Sequence, residues 1–488
     1  MNTQTIRPDG GWSATDLIDG VTGELTAPLS VIDPATGRRC GSVAYGDAAD
    51  AAHRAGLAAD AAARAFPAWS TTTPRARADI LHRAGELLAE RAPHLARVLA
   101  TEAGKRLPEA EGEVGFASEY LRWFAEEIRR PRGEVFTSEA RERFQWSMQR
   151  ALGVVVCITP WNFPVSILAR KLAPALAAGC TVLVRVSEKA PLAVTEWVGA
   201  LQEAGLPRGV LNLVHGDPVA ISSTWLAHSA VRGVSFTGST RVGSEVMRGA
   251  SGRIVRPLLE LGGNAPFIVL DDSDLDVAVD QAELGKLRNT GQSCVGINRF
   301  LVHESLIDEF SERLSRRFDE LPFLSGVDSV DPSIGPVIDQ ERVAAVTDIV
   351  DDAISAGGRR LTRERELPGD GFWLAPTLIV GAPLTSRIAT EEVFGPAAGI
   401  FSFSTDEEAV RYANDTEMGL AAYVVTRSTR RALRFAEQLD SGIVGVNDAL
   451  PSVAFTPMGG TKQSGLGREG GLDGLREFQE TTYVAWRP

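Results

Sequence analysis

The run Gly153-Val154-Val155-Val156-Cys157-Ile158 decides how the chain is read. A strand with one wet face alternates polar and apolar residues. This run does not alternate, so burial on both faces is expected. The residues that follow repeat the theme. Ala169 to Ala178 has helical spacing, Thr181-Val182-Leu183-Val184-Arg185-Val186 is a second strand, and Val194 to Glu203 is a helix. Val210 to Val214 is a third strand and Val231 to Phe236 a fourth. Continuous apolar strands alternating with helices predict an α/β unit with a parallel sheet covered on both faces. Such sheets bind ligands outside the carboxyl ends of their strands.

Upstream, Ile32-Asp33-Pro34-Ala35-Thr36-Gly37 is a turn signal. Helical periodicity then runs over Asp47 to Phe66, Arg75 to Ala100 and Leu107 to Ile128, with Trp123 and Phe124 on the apolar face of the third helix as core. Arg129-Arg130-Pro131-Arg132-Gly133 breaks that pattern. Glu134 to Arg150, with Val135, Phe136, Phe144, Trp146 and Met148, is expected to be a strand excursion with one apolar side, suited to a subunit contact. Downstream the α/β alternation resumes. Strands are expected over Ala265 to Leu270, Arg299 to His303, Thr377 to Val380, Gly399 to Phe403, Ala422 to Thr426, Gly442 to Val446 and Phe478 to Trp486. Helices are expected over Leu306 to Phe318, Glu341 to Ala356, Glu407 to Asn414 and Arg430 to Leu439, and a surface loop over Arg363 to Phe372. The boundary between the two α/β halves falls near Glu260 to Asn264, where Gly262-Gly263 supplies a flexible joint. No fixed-period repeat is present.

At 488 residues the chain is too long for one core, and its 44% apolar and 23% charged composition is that of a globular protein. A net charge of −13 makes nucleic acid and anionic membrane poor partners. It also repels small anions, so a site for an anionic substrate must carry its own cations. Met1 to Gly10 has no apolar run of the signal-peptide kind, and no stretch approaches the roughly 20 apolar residues of a membrane span. The four cysteines, Cys40, Cys157, Cys180 and Cys294, have neither metal-ligand nor disulfide-framework spacing, which points to a reducing cytoplasm. The six histidines are dispersed without an i, i+4 pair, so no metal site is expected.

Four stretches carry chemistry, and each alone has a plainer reading. Asn289-Thr290-Gly291-Gln292-Ser293-Cys294 is a polar loop that presents one thiol, a potential nucleophile or simply a small buried hydrophobe. Phe236-Thr237-Gly238-Ser239-Thr240-Arg241-Val242-Gly243 follows a strand and opens a helix, where free amides favour phosphate; otherwise it is an ordinary capped turn. It is not the G-x-G-x-x-G dinucleotide fingerprint. Thr159-Pro160-Trp161-Asn162-Phe163-Pro164 fixes an Asn amide that can donate to a developing oxyanion, or is a rigid turn. Glu260-Leu261-Gly262-Gly263-Asn264 offers a general base, or a surface Glu.

Together these stretches resemble the aldehyde dehydrogenase superfamily along nearly the whole chain. The matching motifs are Pro160-Trp161-Asn162-Phe163-Pro164, Phe236-Thr237-Gly238-Ser239, Glu260-Leu261-Gly262-Gly263, Gly291-Gln292-Ser293-Cys294 and Glu391-Glu392-Val393-Phe394-Gly395-Pro396, in family order. The resemblance implies an α/β fold with a Rossmann-type NAD-binding domain (1–130 and 152–260), an α/β catalytic domain (261–463) and a small β oligomerisation element (131–151 and 476–488), in a homodimer or homotetramer. It implies Cys294 as nucleophile, Glu260 as general base, Asn162 with the Cys294 amide as oxyanion hole, and Lys171 and Glu469 as a proton relay. For the cofactor it implies Thr159, Pro160, Trp161 and Leu261, with Gly238 and Ser239 at the pyrophosphate, Glu392 and Phe394 at the nicotinamide end, and Glu188 at the adenosine ribose. A carboxylate there repels a 2′-phosphate, which favours NAD over NADP. Arg185 stands where the family usually has Lys, keeping the charge but changing its geometry and leaving NADP possible. The implied reaction is oxidation of an aldehyde through a thiohemiacetal and a thioester.

Arg170, Arg288 and Ser452 match positions that bind the substrate carboxylate in succinate-semialdehyde dehydrogenases, the group this chain resembles most nearly. Guanidinium forks suit carboxylates. The strings Ala169-Arg170-Lys171 and Leu287-Arg288-Asn289-Thr290-Gly291-Gln292 carry that similarity, with Gly442-Ile443-Val444-Gly445-Val446-Asn447 and Ser464-Gly465-Leu466-Gly467-Arg468-Glu469. Gly296 stands where several of those enzymes have a second Cys, so their disulfide switch is not expected. Pro451, Phe455 and Met458 depart from the commoner residues and would reshape the pocket for a longer or more apolar aldehyde acid. The alternatives are a dehydrogenase for a neutral or aromatic aldehyde with the Arg pair structural, a cofactor-independent Cys esterase, and a non-enzymatic protein on the same fold.

Overall fold

The computed structural model describes residues 11–130, 133–139, 142–324 and 326–488. The reading of Met1 to Gly10 and parts of the proposed boundaries at 1–10, 131–132 and 140–141 therefore lie outside the described residues.

The quoted run forms the strand Val154–Thr159, every residue of it buried. It pairs in parallel with Thr181–Val186 on one side and with Val231–Thr237 on the other. Leu211–Leu213 and Arg256–Glu260 extend the parallel ladder outward. Two edges the apolar runs did not announce complete an eight-stranded sheet: Leu17–Ile18 with Val21–Thr22, and Gly465–Leu466, all antiparallel. Edge strands this short are recruited by tertiary contact rather than by their own pattern.

Helices cover both faces. Ala48–Ser70 starts where the Asp47 side chain accepts from the Asp50 N–H, and packs its Ala51, Ala55, Ala58, Ala59 and Ala62 stripe on one face. Pro74–Ala103, Leu107–Glu127, Pro164–Ala178 and Leu192–Glu203 cover the other. Pro164–Ala178 begins on proline, ends at Gly179 with φ +94°, and is buried at every position. Trp123 meets the expectation for its helix in part, packing on the same core cluster as Phe124. Phe124 is core, but Trp123 is only half-buried and lies 5.8 Å, ring to ring, from Phe455.

The second half builds a seven-stranded sheet in the order Arg359–Arg360, Thr377–Val380, Ala397–Phe403, Ile297–His303, Ala265–Val269, Ala421–Val425 and Ile443–Val446, parallel except at the first edge. Leu275–Leu287 and Ile307–Glu320 cover one face. The helix Leu275–Leu287 was not expected because its buried stripe, besides Val279 and Leu287, contains Ala278, Ala282, Gly285 and Lys286, which carry little hydrophobic contrast. Val135–Phe136, Phe144–Ala151 and Gln479–Trp486 form a separate antiparallel three-stranded sheet.

Candidate active site

Register along the first sheet brings the motifs together. Thr159 pairs with Val186, Phe236 with Ile158 and Thr237 with Glu260. The segments that follow, Pro160 to Asn162, Gly238 to Ser239 and Leu261 to Gly262, therefore leave one sheet edge side by side, at the carboxyl ends of the strands. Five residues past Glu260, at Ala265, the chain enters the second sheet. A Cβ on Gly263 would lie 2.2 Å from the Cys294 carbonyl oxygen, so glycine is required there by close approach. The Gly262-Gly263 pair is thus a pinned crossing and not the flexible joint expected. Both residues are buried; the Gly263 N–H donates to Glu392 Oε1 at 3.1 Å, and Ser464 Oγ donates to the Gly262 carbonyl at 2.6 Å.

A cavity of about 260 Å³ opens at this edge. Pro160, Trp161, Gly238, Ser239, Leu261, Glu392 and Phe394 line it together with Asn162, Glu260 and Cys294. Thr159 is buried at the end of its strand, its hydroxyl without a partner. Arg185 and Glu188 are not part of that lining; they form an ion pair at the end of the neighbouring strand. Thr237, Gly262 and Arg342 also line the cavity without having been given a part in the site. Thr237 sat inside a quoted motif, and its buried, unpartnered hydroxyl is the signal. Arg342 lies over the Phe394 ring at 5.6 Å and comes from a distant helix, so no local pattern could place it.

These residues suit a dinucleotide. Ser239 caps the helix Thr240–Ser251 by accepting from the Val242 N–H, leaving first-turn amides for phosphate. Phe394 holds a positive φ of +48° and meets Trp161 edge-on at 5.6 Å, so a rigid aromatic wall stands beside Glu392. Burial pushes the Glu392 carboxyl up to about 7, with the Gly263 N–H pulling the other way.

Cys294 is half-buried and lines this cavity and a second one. Both Glu260 oxygens are buried without a protein hydrogen-bond partner, and the carboxyl acts electrostatically on the Cys294 thiol. Desolvation raises the thiol well above its ordinary value, and Glu260 adds to that. Desolvation also raises Glu260, reinforced by Glu469, while Arg170 and Lys171 oppose it. Lys171 Nζ lies 2.5 Å from Glu469 Oε1 and donates to Ser235 Oγ at 3.0 Å, all buried behind Glu260. Asn162 Nδ2 donates to the Gln292 carbonyl at 3.1 Å, which commits one of its two hydrogens.

The second cavity, about 380 Å³, brings Arg170, Arg288 and Ser452 together with Cys294. The two arginines differ. Arg170 is buried; its Nε donates to the Tyr120 hydroxyl at 3.0 Å, its Nη1 touches Met458 Sδ, and Glu469 Oε2 lies 3.8 Å away. Arg288 is half-buried, lies 4.9 Å over the Phe163 ring, and has no ion pair within 4.0 Å among the described residues. Of the three departures in the Pro451 loop only Met458 lines the cavity, whose remaining wall includes Phe116, Phe163, Ile167 and Val453. Phe455 is instead 60% exposed on Trp123, because the loop turns its ring outward.

No group of three or more His, Cys, Asp and Glu with metal-binding geometry occurs among the described residues, and no described helix is long and apolar enough to cross a membrane. A family model described as the aldehyde dehydrogenase family matches residues 21–484. The chain is 39% identical over 467 residues to a protein of Escherichia coli named succinate-semialdehyde dehydrogenase (NADP(+)), covering 96% of this chain and 95% of that one. It is 40% identical over 456 residues to a glutarate-semialdehyde dehydrogenase of Pseudomonas putida, covering 93% and 94%. Its structure matches the crystal structure of succinate-semialdehyde dehydrogenase from Burkholderia pseudomallei with a TM-score of 0.94 at 40% identity, covering 100% of both chains.

Proposed function

The chain belongs to the aldehyde dehydrogenase family, and from that premise we propose that its substrate is an aldehyde bearing a terminal carboxylate, succinic semialdehyde first. One observation carries this reading: Cys294 stands between a cavity built for a dinucleotide and a cavity holding Arg170, Arg288 and Ser452. In a protein of net charge −13, cations placed there act against the overall field. The volume of about 380 Å³ also accommodates the longer glutaric semialdehyde. Its aromatic and aliphatic wall favours, as the second reading, a neutral or aromatic aldehyde.

Cys294 Sγ, relieved of its proton by Glu260, adds to the aldehyde carbon. The oxygen of that adduct takes hydrogen bonds from the remaining Asn162 Nδ2 hydrogen and the Cys294 amide. NAD(P) held in the cavity of Gly238, Ser239, Glu392 and Phe394 would supply the acceptor for the hydride that leaves the same carbon. A thioester on Cys294 remains, and Glu260 takes a proton from the water that hydrolyses it to the acid. Glu260 passes the Cys294 proton to the Lys171–Glu469 pair before it takes the one from water, and the pair releases both to solvent. Gly238, Ser239, Glu392 and Phe394 hold the cofactor, with Thr159, Pro160, Trp161 and Leu261 around it. Glu188, paired with Arg185, takes the adenosine ribose, so NAD is the first cofactor and NADP the alternative.

The division into a cofactor domain (1–130, 152–260), a catalytic domain (261–463) and an oligomerisation element (131–151, 476–488) rests on the eight-stranded sheet, the seven-stranded sheet and the sheet of Val135–Phe136, Phe144–Ala151 and Gln479–Trp486. A homodimer or homotetramer is assigned on the apolar side chains the small sheet leaves open in the single chain, among them Phe144, Tyr483 and Trp486. A reducing cytoplasm suits a reaction that needs Cys294 as a thiol. The test is NADH and NADPH formation with succinic and glutaric semialdehydes, butanal and benzaldehyde. The semialdehydes should exceed the others by at least tenfold in kcat/KM. Equal rates with butanal would refute the carboxylate reading, and turnover of an ester without any response to cofactor would favour the esterase.

A further inference from the structure

Lys105 and Glu113 form an ion pair with side chains 0% and 1% exposed, beside the site but unused in the steps above. A buried pair of this kind persists only where each partner finds additional hydrogen bonds. Glu113 Oε1 accepts from the Val165 and Ser166 N–H groups at 3.0 and 3.2 Å, capping the helix Pro164–Ala178, which has no cap from its own N-cap side chain. Lys105 Nζ donates to the carbonyl oxygen of Asn162 at 2.9 Å and lies 4.1 Å from the centre of the Phe163 ring. The pair thus grips the chain on both sides of the Asn162-Phe163 step.

A second donor meets the same carbonyl. Asn289 Nδ2 donates to it at 2.9 Å from a residue with a φ of +51°. Asn289 is itself held by its N–H to Glu109 Oε1 at 2.9 Å, and by Gln292 Nε2, which donates to its carbonyl at 3.0 Å. The Gln292 carbonyl, which takes one Asn162 Nδ2 hydrogen, belongs to a residue whose Oε1 accepts from the Ile338 N–H at 2.9 Å. The peptide and the side chain of Asn162 are therefore both clamped, and the free amide hydrogen has its direction set by groups that never touch the reacting atoms.

We propose that Lys105 is a positioning residue: through the Asn162 carbonyl it fixes the peptide that aims the Asn162 amide at the oxygen of the Cys294 adduct. This rests on Asn162 being an oxyanion donor, and the experiment separates the two. Lys105→Met combined with Glu113→Gln removes both charges at once, so neither is left buried alone, and the Gln oxygen can still cap the helix. A second variant, Asn289→Gly, removes the other donor to the same carbonyl and tolerates the positive φ.

Each change is made in the wild type and in Asn162→Ala, and kcat/KM for the aldehyde is measured at saturating cofactor, with cofactor affinity from tryptophan fluorescence and Tm from circular dichroism. In the wild type each should lower kcat/KM by about tenfold or more, the scale of a small misplacement of a catalytic group, with cofactor affinity within twofold. In Asn162→Ala each should lower it less than twofold, while the Tm losses remain additive. Equal falls in both backgrounds, or no fall in the wild type, would overturn the role of Lys105. Full activity of Asn162→Ala alone would remove the premise. Should the charge-free pair not fold, Lys105→Arg, which keeps the charge and displaces the donor, is put to the same comparison.

Discussion

Replacing Arg288 by alanine should cost the protein its preference for a carboxylate tail while sparing the chemistry. Arg288 lies on the tail side of Cys294, half-buried, over Phe163, with no acidic partner within 4.0 Å among the described residues. Arg170 is less free: Tyr120 and Met458 already occupy it, and Glu469 lies 3.8 Å away. The guanidinium with open donors is therefore Arg288. A hydrogen bond to a charged partner contributes about 1.5–3 kcal/mol, which corresponds to roughly 10- to 150-fold in rate. Partial exposure places the value toward the lower end. The assay compares kcat/KM for succinic semialdehyde and for butanal, which has the same chain length without the acid. Arg288→Ala should lower the first by about 10- to 100-fold and the second by less than threefold. Added salt should shrink the wild-type preference, because a half-exposed charge is screened. Equal losses on both aldehydes, or an unchanged ratio, would refute the reasoning and make Arg288 structural.

Glu260→Gln should lose about 100-fold or more in both the first NADH release and the steady rate, because one carboxylate deprotonates the thiol and then the hydrolytic water; rapid-mixing absorbance reads both phases, and a first release as fast as the wild type's would contradict its role on the thiol. Cys294→Ala should abolish turnover yet bind NAD with unchanged affinity by fluorescence titration. Glu188→Ser should move the NADP/NAD ratio of kcat/KM toward NADP by about tenfold, since it removes a repelling carboxylate and frees Arg185, now paired with it, for a 2′-phosphate; an unmoved ratio would place the ribose elsewhere. Burial holds the His215 imidazole at about 3 against an ordinary 6.5, with Arg185 and Arg54 adding to it. The unfolded chain therefore takes up this proton first. The stabilisation is complete above pH 6.5 and is lost as pH falls toward 3, by at most about 1.4 kcal/mol per pH unit. Urea midpoints of wild type and His215→Asn should converge as pH drops from 7 to 5; parallel lines would exclude this histidine as the source.

The alternation of apolar strands with helices was legible without coordinates because burial on both faces leaves no polar position in a strand, as in Val154–Thr159. The loop before Cys294, the turn at Gly238-Ser239 and the Glu260 segment were legible because each needs residue types that chemistry makes scarce. Much of the rest is relational. Leu275–Leu287 was missed because four of its six buried residues, Ala278, Ala282, Gly285 and Lys286, blur its hydrophobic period, and Gly465–Leu466 because two residues become a strand only beside Arg256–Glu260. Gly262-Gly263 suggested freedom where close contact with Cys294 and Glu392 demands a missing side chain. Three arginines had equal standing as letters. The folded chain turned Arg170 onto Tyr120 and Glu469, left Arg288 open toward the cavity and brought Arg342 over Phe394. The order of residues along a chain specifies local burial and turn chemistry; which charge is neutralised and which stays available is set by neighbours that sequence separation hides, and that was decided only when the two sheets met at Cys294.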